Sequence, residues 1–176
     1  IIDAATLTGA QRIALGTRTA GVMSNSDAAR TAVCEAADRA GELMWPMPLP
    51  DDLRQSLESS TADIANIGER LGGMLTAGVF LNEFVPPTQP WVHIDMAGPA
   101  FNDKGAYGYT PKGGTGATVR PFVQVAAGMA AGSRQEARSR GPCRPTVDRW
   151  KDDPDSRATR QSDDDGSGRQ WPVQIW

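Results

Sequence analysis

The only histidine of the chain, His93, lies two residues before Asp95 in the segment WVHIDMAG. Side chains two positions apart project from the same face of a β-strand, so this pair could bind a metal ion or carry out acid–base chemistry. A catalytic metal usually needs about three protein ligands, and the predicted strands offer few, Asp63 among them. We therefore favour a buried histidine that is hydrogen-bonded within the sheet, and we expect Asp63 and Asn66 to satisfy neighbouring backbone groups.

The segment Thr6-Leu7-Thr8-Gly9 follows a run of apolar residues and could bring a ligand to the main chain. Ligands of open α/β sheets bind at the carboxyl ends of strands, and a glycine there allows close approach to the backbone. Thr8 could equally be the cap of a helix that begins at Gly9. The residues alone favour neither interpretation.

The glycine-rich segment 113–116, before a predicted helix, resembles a phosphate-binding turn. It lacks the lysine and hydroxyl residue of a P-loop and the spacing of a dinucleotide fingerprint, so we favour a tight turn. The sequence also contains no Ser-His-Asp constellation with a nucleophile elbow.

Apolar periodicity predicts an α/β fold in which helices cover a sheet. Strands are predicted at 1–6, 19–24, 62–67 and 91–97. Helices are predicted between a cap at Ser26 and a stop at Gly41, at 51–57, at about 74–84 and at about 116–131. The proline-rich segment 44–50 is predicted to be an extended connection without regular structure.

Composition divides the 176 residues near position 132. Residues 1–132 hold all nine leucines, whereas residues 133–176 carry 17 charges and no leucine. Such a segment buries too little apolar surface to offset chain entropy, so we predict a disordered tail. Its three tryptophans, Trp150, Trp171 and Trp176, are interpreted as incidental rather than as a partner-binding motif.

Charge and cysteine content limit the class of protein. A net charge of -3 makes nucleic-acid binding unlikely. Two distant cysteines exclude a cysteine-built zinc site and a dense disulfide framework, which favours the cytoplasm. We expect no membrane span, because no apolar run is long enough. The start, Ile1-Ile2-Asp3, is typical of the middle of a strand, so the sequence is expected to be truncated there.

Six segments of the sequence are informative together: DAATLTGAQRIALG, MWPMPLP, ADIANIG, GGMLTAGVFLNEF, WVHIDMAGPAF and PKGGTGATVRPF. In this order and spacing they resemble the C-terminal part of the leucyl aminopeptidases, the dinuclear-metal cytosol aminopeptidase family. The resemblance covers about residues 1–132. It implies a partial catalytic domain, the C-terminal part of a mixed β-sheet flanked by helices. It also implies a homohexamer that removes N-terminal residues, often leucine, from peptides.

The same resemblance implies a reaction that uses two divalent ions, zinc or manganese, with bicarbonate as the base. The family's ligand motif, similar to Asn-Thr-Asp-Ala-Glu-Gly-Arg, lies upstream of the first strand here and is absent from this chain. We therefore assign no catalytic residue and no metal ligand, and expect the isolated chain to be inactive. The alternative is a non-catalytic remnant, or a module that associates with intact subunits.

Five residues match substrate-side positions of the family. Thr6 and Leu7 match strand-end positions whose backbone borders substrate and bicarbonate, and Gly9 matches one whose N–H meets the peptide carbonyl. Ala97 matches a wall of the pocket for the first side chain, and Ala100 stands where the family can place a bulkier pocket residue. His93 and Asp95 match no metal ligand, which agrees with the structural role favoured above.

Overall fold

Residues 1–132 are the part of the chain that the computed structural model describes. The predicted disordered tail at 133–176, with its three tryptophans, lies outside the described residues. The division of the chain into a partial catalytic domain and an unrelated tail therefore remains a prediction.

Four strands form one mixed sheet: β1 (Ile2–Ala5), β2 (Thr19–Ser24), β3 (Leu43–Pro46) and β4 (Val92–Asp95). Their order is β1-β4-β2-β3. β1 is parallel to β4 and β2 is parallel to β3, whereas β4 runs antiparallel to β2. The mixed sheet expected from the sequence is therefore confirmed, and β1 lies at one of its edges.

Four α-helices and one 3₁₀ helix accompany the sheet in the described residues. They are α1 (Gly9–Leu15), α2 (Asp27–Ala40), a 3₁₀ helix (Asp51–Leu57), α3 (Gly73–Asn82) and α4 (Val119–Ala130). The predicted ends of α2 are confirmed. The Ser26 hydroxyl accepts the Ala29 N–H, and Gly41 ends the helix in the left-handed conformation with φ +76°. No helix among these is long and apolar enough to cross a membrane.

Two local predictions were wrong, and one small sheet was missed. Residues 62–67 form bends rather than a strand, and the Ala65 N–H bonds to the Leu57 carbonyl instead of to a sheet neighbour. Segment 44–50 was predicted to have no regular structure, but its first three residues belong to β3. Pro46 is tolerated there because β3 is an edge strand, where the missing N–H of proline removes no hydrogen bond of the sheet. A small second sheet, formed by β5 (Phe101–Asn102) and β6 (Gly113–Gly114), was not predicted.

Helices pack on both faces of the larger sheet. Val22 and Ile94 face a core that α2 completes with Val33 and Ala37. The opposite face carries Met23, which reaches α3. Because side chains alternate along a strand, His93 and Asp95 of β4 lie on this second face, beneath α1 and α3. The sheet thus places His93 and Asp95 on the face opposite the α2 core.

Candidate functional site

Asp95, the last residue of β4, joins two segments that are distant in sequence. Its side chain is fully buried. One carboxylate oxygen accepts the backbone N–H groups of Leu7 and Ala97, each at 3.2 Å, and the other accepts the Thr8 hydroxyl at 2.6 Å. The predicted substrate-side residues Leu7 and Ala97 therefore meet at one carboxylate.

Thr8 caps α1, as one of the two interpretations of this segment predicted. Its hydroxyl oxygen accepts the Gln11 N–H at 3.0 Å while donating its proton to Asp95. Gly9 starts the helix, and a Cβ built on it would meet no atom within 4 Å. Packing does not require a glycine at this position, so the proposed approach of a ligand to Gly9 remains a prediction.

Gln11 ties α1 to the turn that follows β4. The side chain is fully buried, and its amide nitrogen donates to the Thr19 carbonyl at 2.5 Å. Its amide oxygen accepts the Gly98 N–H at 2.6 Å. A Cβ on Gly98 would lie 2.1 Å from the Gly16 carbonyl oxygen, so this glycine is required by close approach of two backbone segments.

His93 is buried and hydrogen-bonded within the sheet, as predicted. Its Nδ1 lies 2.5 Å from one Asp3 carboxylate oxygen, and the Trp91 indole N–H donates to the other at 2.6 Å. The partner, Asp3, was missed by the sequence analysis. Parallel pairing of β1 with β4 sets Asp3 directly beside His93. The sequence could not reveal this contact, because the pattern of apolar residues does not specify which strands pair.

The Asp3 carboxyl has a pKa below its ordinary value of 3.8. Partial burial by itself raises this pKa, but the hydrogen bond and charge of His93, together with the Trp91 hydrogen bond, outweigh it. A lowered pKa means that ionised Asp3 stabilises the fold above pH 3.8, and that this stability is lost as the pH falls through the lower folded-state value.

We expect Asp3→Asn to flatten the pH dependence of stability on the acid side. The free energy of unfolding, measured by urea titration, should fall less between pH 6 and pH 3 in Asp3→Asn than in the parent chain, because the variant has no carboxylate to protonate. Asp63→Asn, in an exposed loop, is the matched control, and its free energy of unfolding should change with pH as it does in the parent chain. Equal slopes for Asp3→Asn and the parent would contradict the role given to this carboxyl.

A cavity of about 400 Å³ opens beside the start of α1. One wall is the segment Leu7–Ala10, and another is the loop from Asn66 to Arg70. Side chains of the 3₁₀ helix and of α3, including Leu57 and Phe80, complete it. The cavity therefore combines an apolar interior with the polar Asn66, Glu69 and Arg70.

Two of the predicted site residues line the cavity, two contact Asp95, and Thr6 and Ala100 do neither. Leu7 and Gly9 line the cavity. Thr6 is exposed nearby, whereas Ala97 and Ala100 are half-buried in and after the turn that follows β4, and none of these three lines the cavity. The loop 66–70 was missed because a strand was predicted at 62–67, which overlaps the start of the loop. That Asp63 and Asn66 satisfy neighbouring backbone groups remains a prediction.

The glycine-rich segment 113–116 is not itself the tight turn that was favoured: Gly113 and Gly114 form β6, and the turn that enters α4 lies at 117–118. The Thr115 hydroxyl donates to the Pro99 carbonyl at 2.6 Å, and Gly116 has φ +69°. The Glu42 carboxylate accepts the Thr118 N–H at 2.7 Å, at the start of α4 where a phosphate would have to bind. The carboxylate of Glu42 therefore occupies the position at the start of α4 where a bound phosphate would accept this N–H.

Within residues 1–132, no three histidine, cysteine or acidic side chains converge closely enough to hold a metal ion. The described residues therefore do not fit the pair of divalent ions implied by the resemblance. Ligands for such ions would have to come from outside residues 1–132.

Comparison with known proteins identifies the fold as that of a peptidase catalytic domain. Residues 1–123 match the model of the cytosol aminopeptidase family, catalytic domain, and the chain belongs to this family. It is 62% identical over 132 residues to a probable cytosol aminopeptidase of Streptomyces coelicolor, covering 75% of this chain and 26% of that protein. It is 56% identical over 126 residues to a probable cytosol aminopeptidase of Mycobacterium tuberculosis, covering 71% of this chain and 24% of that protein. The chain thus spans about a quarter of the length of these curated relatives.

Solved structures show the same similarity. The bottromycin maturation enzyme BotP superposes with a TM-score of 0.71 at 40% identity, covering 74% of this chain and 29% of BotP. BotP in complex with Mn gives a TM-score of 0.71 at 40% identity, covering 73% and 28%. A mutant of tomato leucine aminopeptidase gives 0.66 at 39% identity, covering 70% and 23%. The family resemblance drawn from the six sequence segments is confirmed.

Proposed function

We propose that this chain supplies the substrate-side part of a metal-dependent aminopeptidase that releases N-terminal residues, leucine preferred, from peptides. The observation that carries the proposal is the Asp95 carboxylate, which joins the N–H of Leu7, a residue that lines the cavity of about 400 Å³, to the N–H of Ala97 in the turn after β4. A site of this kind can hold one apolar side chain against two fixed stretches of backbone.

In this proposal the chain binds and orients the peptide. The backbone of Thr6 and Leu7 borders the substrate, and the Gly9 N–H, which has no acceptor within its own helix, donates to the peptide carbonyl. Ala97 and Ala100 form the wall of the pocket for the first side chain. Fixed donors and walls of this kind lower the barrier mainly by holding the reacting bond in place.

Two divalent ions, manganese or zinc, and bicarbonate are proposed to serve the intact enzyme. The existence of a BotP structure in complex with Mn supports manganese in a related protein. Since the described residues offer no donor set for such ions, no chemical step is assigned to this chain, and we expect it to be inactive by itself.

Assembly and location are proposed from the family. We propose a homohexameric intact enzyme that acts on peptides in the cytoplasm, which agrees with relatives named cytosol aminopeptidases. The alternative, a non-catalytic remnant or a module that pairs with intact subunits, predicts binding to such subunits without any gain of turnover.

The test is turnover by two proteins, the 176-residue chain and a fusion in which it is joined to the portion of the Streptomyces coelicolor relative that it lacks. With manganese present, we expect the chain alone to leave leucine amide intact and the fusion to hydrolyse it in a chelator-sensitive manner. Chelator-sensitive turnover by the chain alone, or an inactive but folded fusion, would contradict the proposal.

Gly9→Ala in the fusion tests the substrate-side assignment separately from folding. The new methyl group has open space around it and stands in a helix, so stability should not fall. If the peptide approaches this backbone, kcat/KM should fall by about tenfold or more, because a small misplacement of substrate is costly. Gly105→Ala, which also has open space, is the control. Unchanged kcat/KM in Gly9→Ala would remove Gly9 from the site.

A further inference from the structure

Gln11 occupies an unusual place for its residue type. Glutamine is mostly exposed in folded proteins, yet this side chain has 0% exposure. It leaves α1 and reaches both the first residue of β2 and the turn after β4. One buried amide therefore connects three elements on the side of the sheet that carries Asp95.

The amide of Gln11 can adopt only one orientation. The Gly98 N–H is a donor and needs the amide oxygen, whereas the Thr19 carbonyl is an acceptor and needs the amide nitrogen. Rotation of the amide by half a turn would break both bonds inside the protein, where unpaired polar groups are costly. The position of Gly98 relative to α1 is therefore set by Gln11.

Two successive backbone N–H groups of this turn are held by different elements. Asp95 accepts the Ala97 N–H, and Gln11 accepts the Gly98 N–H. Asp95 also holds the Leu7 N–H, just before α1. Close approach of Gly98 to the Gly16 carbonyl oxygen prevents the turn from moving further toward α1.

We propose that Gln11 is a positioning residue that fixes the Ala97–Ala100 wall against the start of α1, and so sets the width of the pocket for the first side chain of the peptide. This inference rests on the proposed aminopeptidase function. Gln11 touches no substrate in this proposal; it acts through Gly98 and the neighbouring Ala97.

The first test is amide hydrogen exchange in the 176-residue chain. Gln11→Met keeps similar length and removes both hydrogen bonds, so protection of the Gly98 N–H should fall by about tenfold, corresponding to one lost buried bond. Ser24→Ala is the matched control, because Ser24 is a buried residue that donates to the Trp91 carbonyl, outside the turn. It should leave Gly98 protection unchanged. Unchanged protection in Gln11→Met would overturn the proposal.

Gln11→Glu provides a conservative rescue that also guards against a misfolded Met variant. Burial disfavours the charged carboxyl, and the neutral form can donate to Thr19 and accept from Gly98 as the amide does. Gly98 protection, corrected for intrinsic exchange, should therefore approach the parent value at mildly acidic pH and fall as the pH rises. A protection that is low at every pH, although the variant is folded, would contradict the role of the amide.

The second test is selectivity in the fusion protein. The ratio of kcat/KM for leucine amide to that for alanine amide should change by about tenfold in Gln11→Met, because a displaced wall changes the fit of the first side chain. Ser24→Ala should keep the parent ratio. A parent-like ratio in an active Gln11→Met fusion would reduce Gln11 to a structural role. An inactive parent fusion would refute the proposed function instead, and the exchange data would still decide whether Gln11 holds the turn.

Discussion

Asp95→Ala is expected to lower the free energy of unfolding by about 3 kcal/mol, because three part-buried hydrogen-bonding groups lose their shared acceptor and a cavity replaces a fully buried side chain. The Leu7 and Ala97 N–H groups and the Thr8 hydroxyl all lose their acceptor. Thr8 is also the cap of α1, so the start of this helix loses its attachment to the sheet. Urea titration of the 176-residue chain, followed by tryptophan fluorescence, measures the effect.

Asp95→Asn is the matched variant. Its amide oxygen can accept both N–H groups that now share one carboxylate oxygen, and its NH₂ group can donate to the Thr8 hydroxyl oxygen. The loss should therefore stay at about 1 kcal/mol. Equal destabilisation by alanine and asparagine would mean that charge, rather than the hydrogen-bond pattern, accounts for the role of Asp95.

Gly98→Ala is expected to lower the free energy of unfolding by about 3 kcal/mol, at the upper end for an overpacked site. The added methyl would lie 2.1 Å from the Gly16 carbonyl oxygen and 2.9 Å from the amide oxygen of Gln11. Backbone cannot yield as a flexible side chain can, so the turn after β4 must move away from α1. The same urea titration measures the loss.

Gly105→Ala is the control for Gly98→Ala. A Cβ at that position meets nothing within 4 Å, and the change should stay within about 0.5 kcal/mol of the parent. If Gly98→Ala were as well tolerated as Gly105→Ala, the tight contact between the turn and α1 would be refuted, and with it the limit on movement of the Ala97–Ala100 wall.

Local sequence signals were sufficient to predict both ends of α2. Ser26 and Gly41 predicted both ends of α2, because capping depends on a few neighbouring residues. Thr8 as a cap was one of two open interpretations for the same reason. The buried His93 followed from its place in an apolar strand with few possible ligands.

Pairing between distant segments could not be predicted. The contacts of His93 with Asp3 and of Asp95 with Leu7 depend on β1 lying beside β4, which are about 90 residues apart along the chain. Segment 62–67 shows the reverse error. Its alternating pattern is typical of a strand, but the segment pairs with no strand of the described residues. Its last two residues, Asn66 and Ile67, line the cavity together with the residues that follow.

The six motif segments carried more information about function than the apolar pattern did. Through the family resemblance they predict substrate-side roles for Thr6, Leu7, Gly9, Ala97 and Ala100, which remain predictions. The structure then brought Leu7 and Ala97 to one carboxylate. Gln11 carried no functional signal in the sequence, since its importance comes from burial between three elements.

Calorimetric titration of manganese and zinc tests most directly whether this chain holds the substrate side of the site while the metal side lies elsewhere. We expect the 176-residue chain to bind neither ion tightly, because the described residues offer no converging set of ligands, and the fusion with the Streptomyces coelicolor portion to bind two ions per chain. Tight binding of two ions by the 176-residue chain alone would contradict this division of the site.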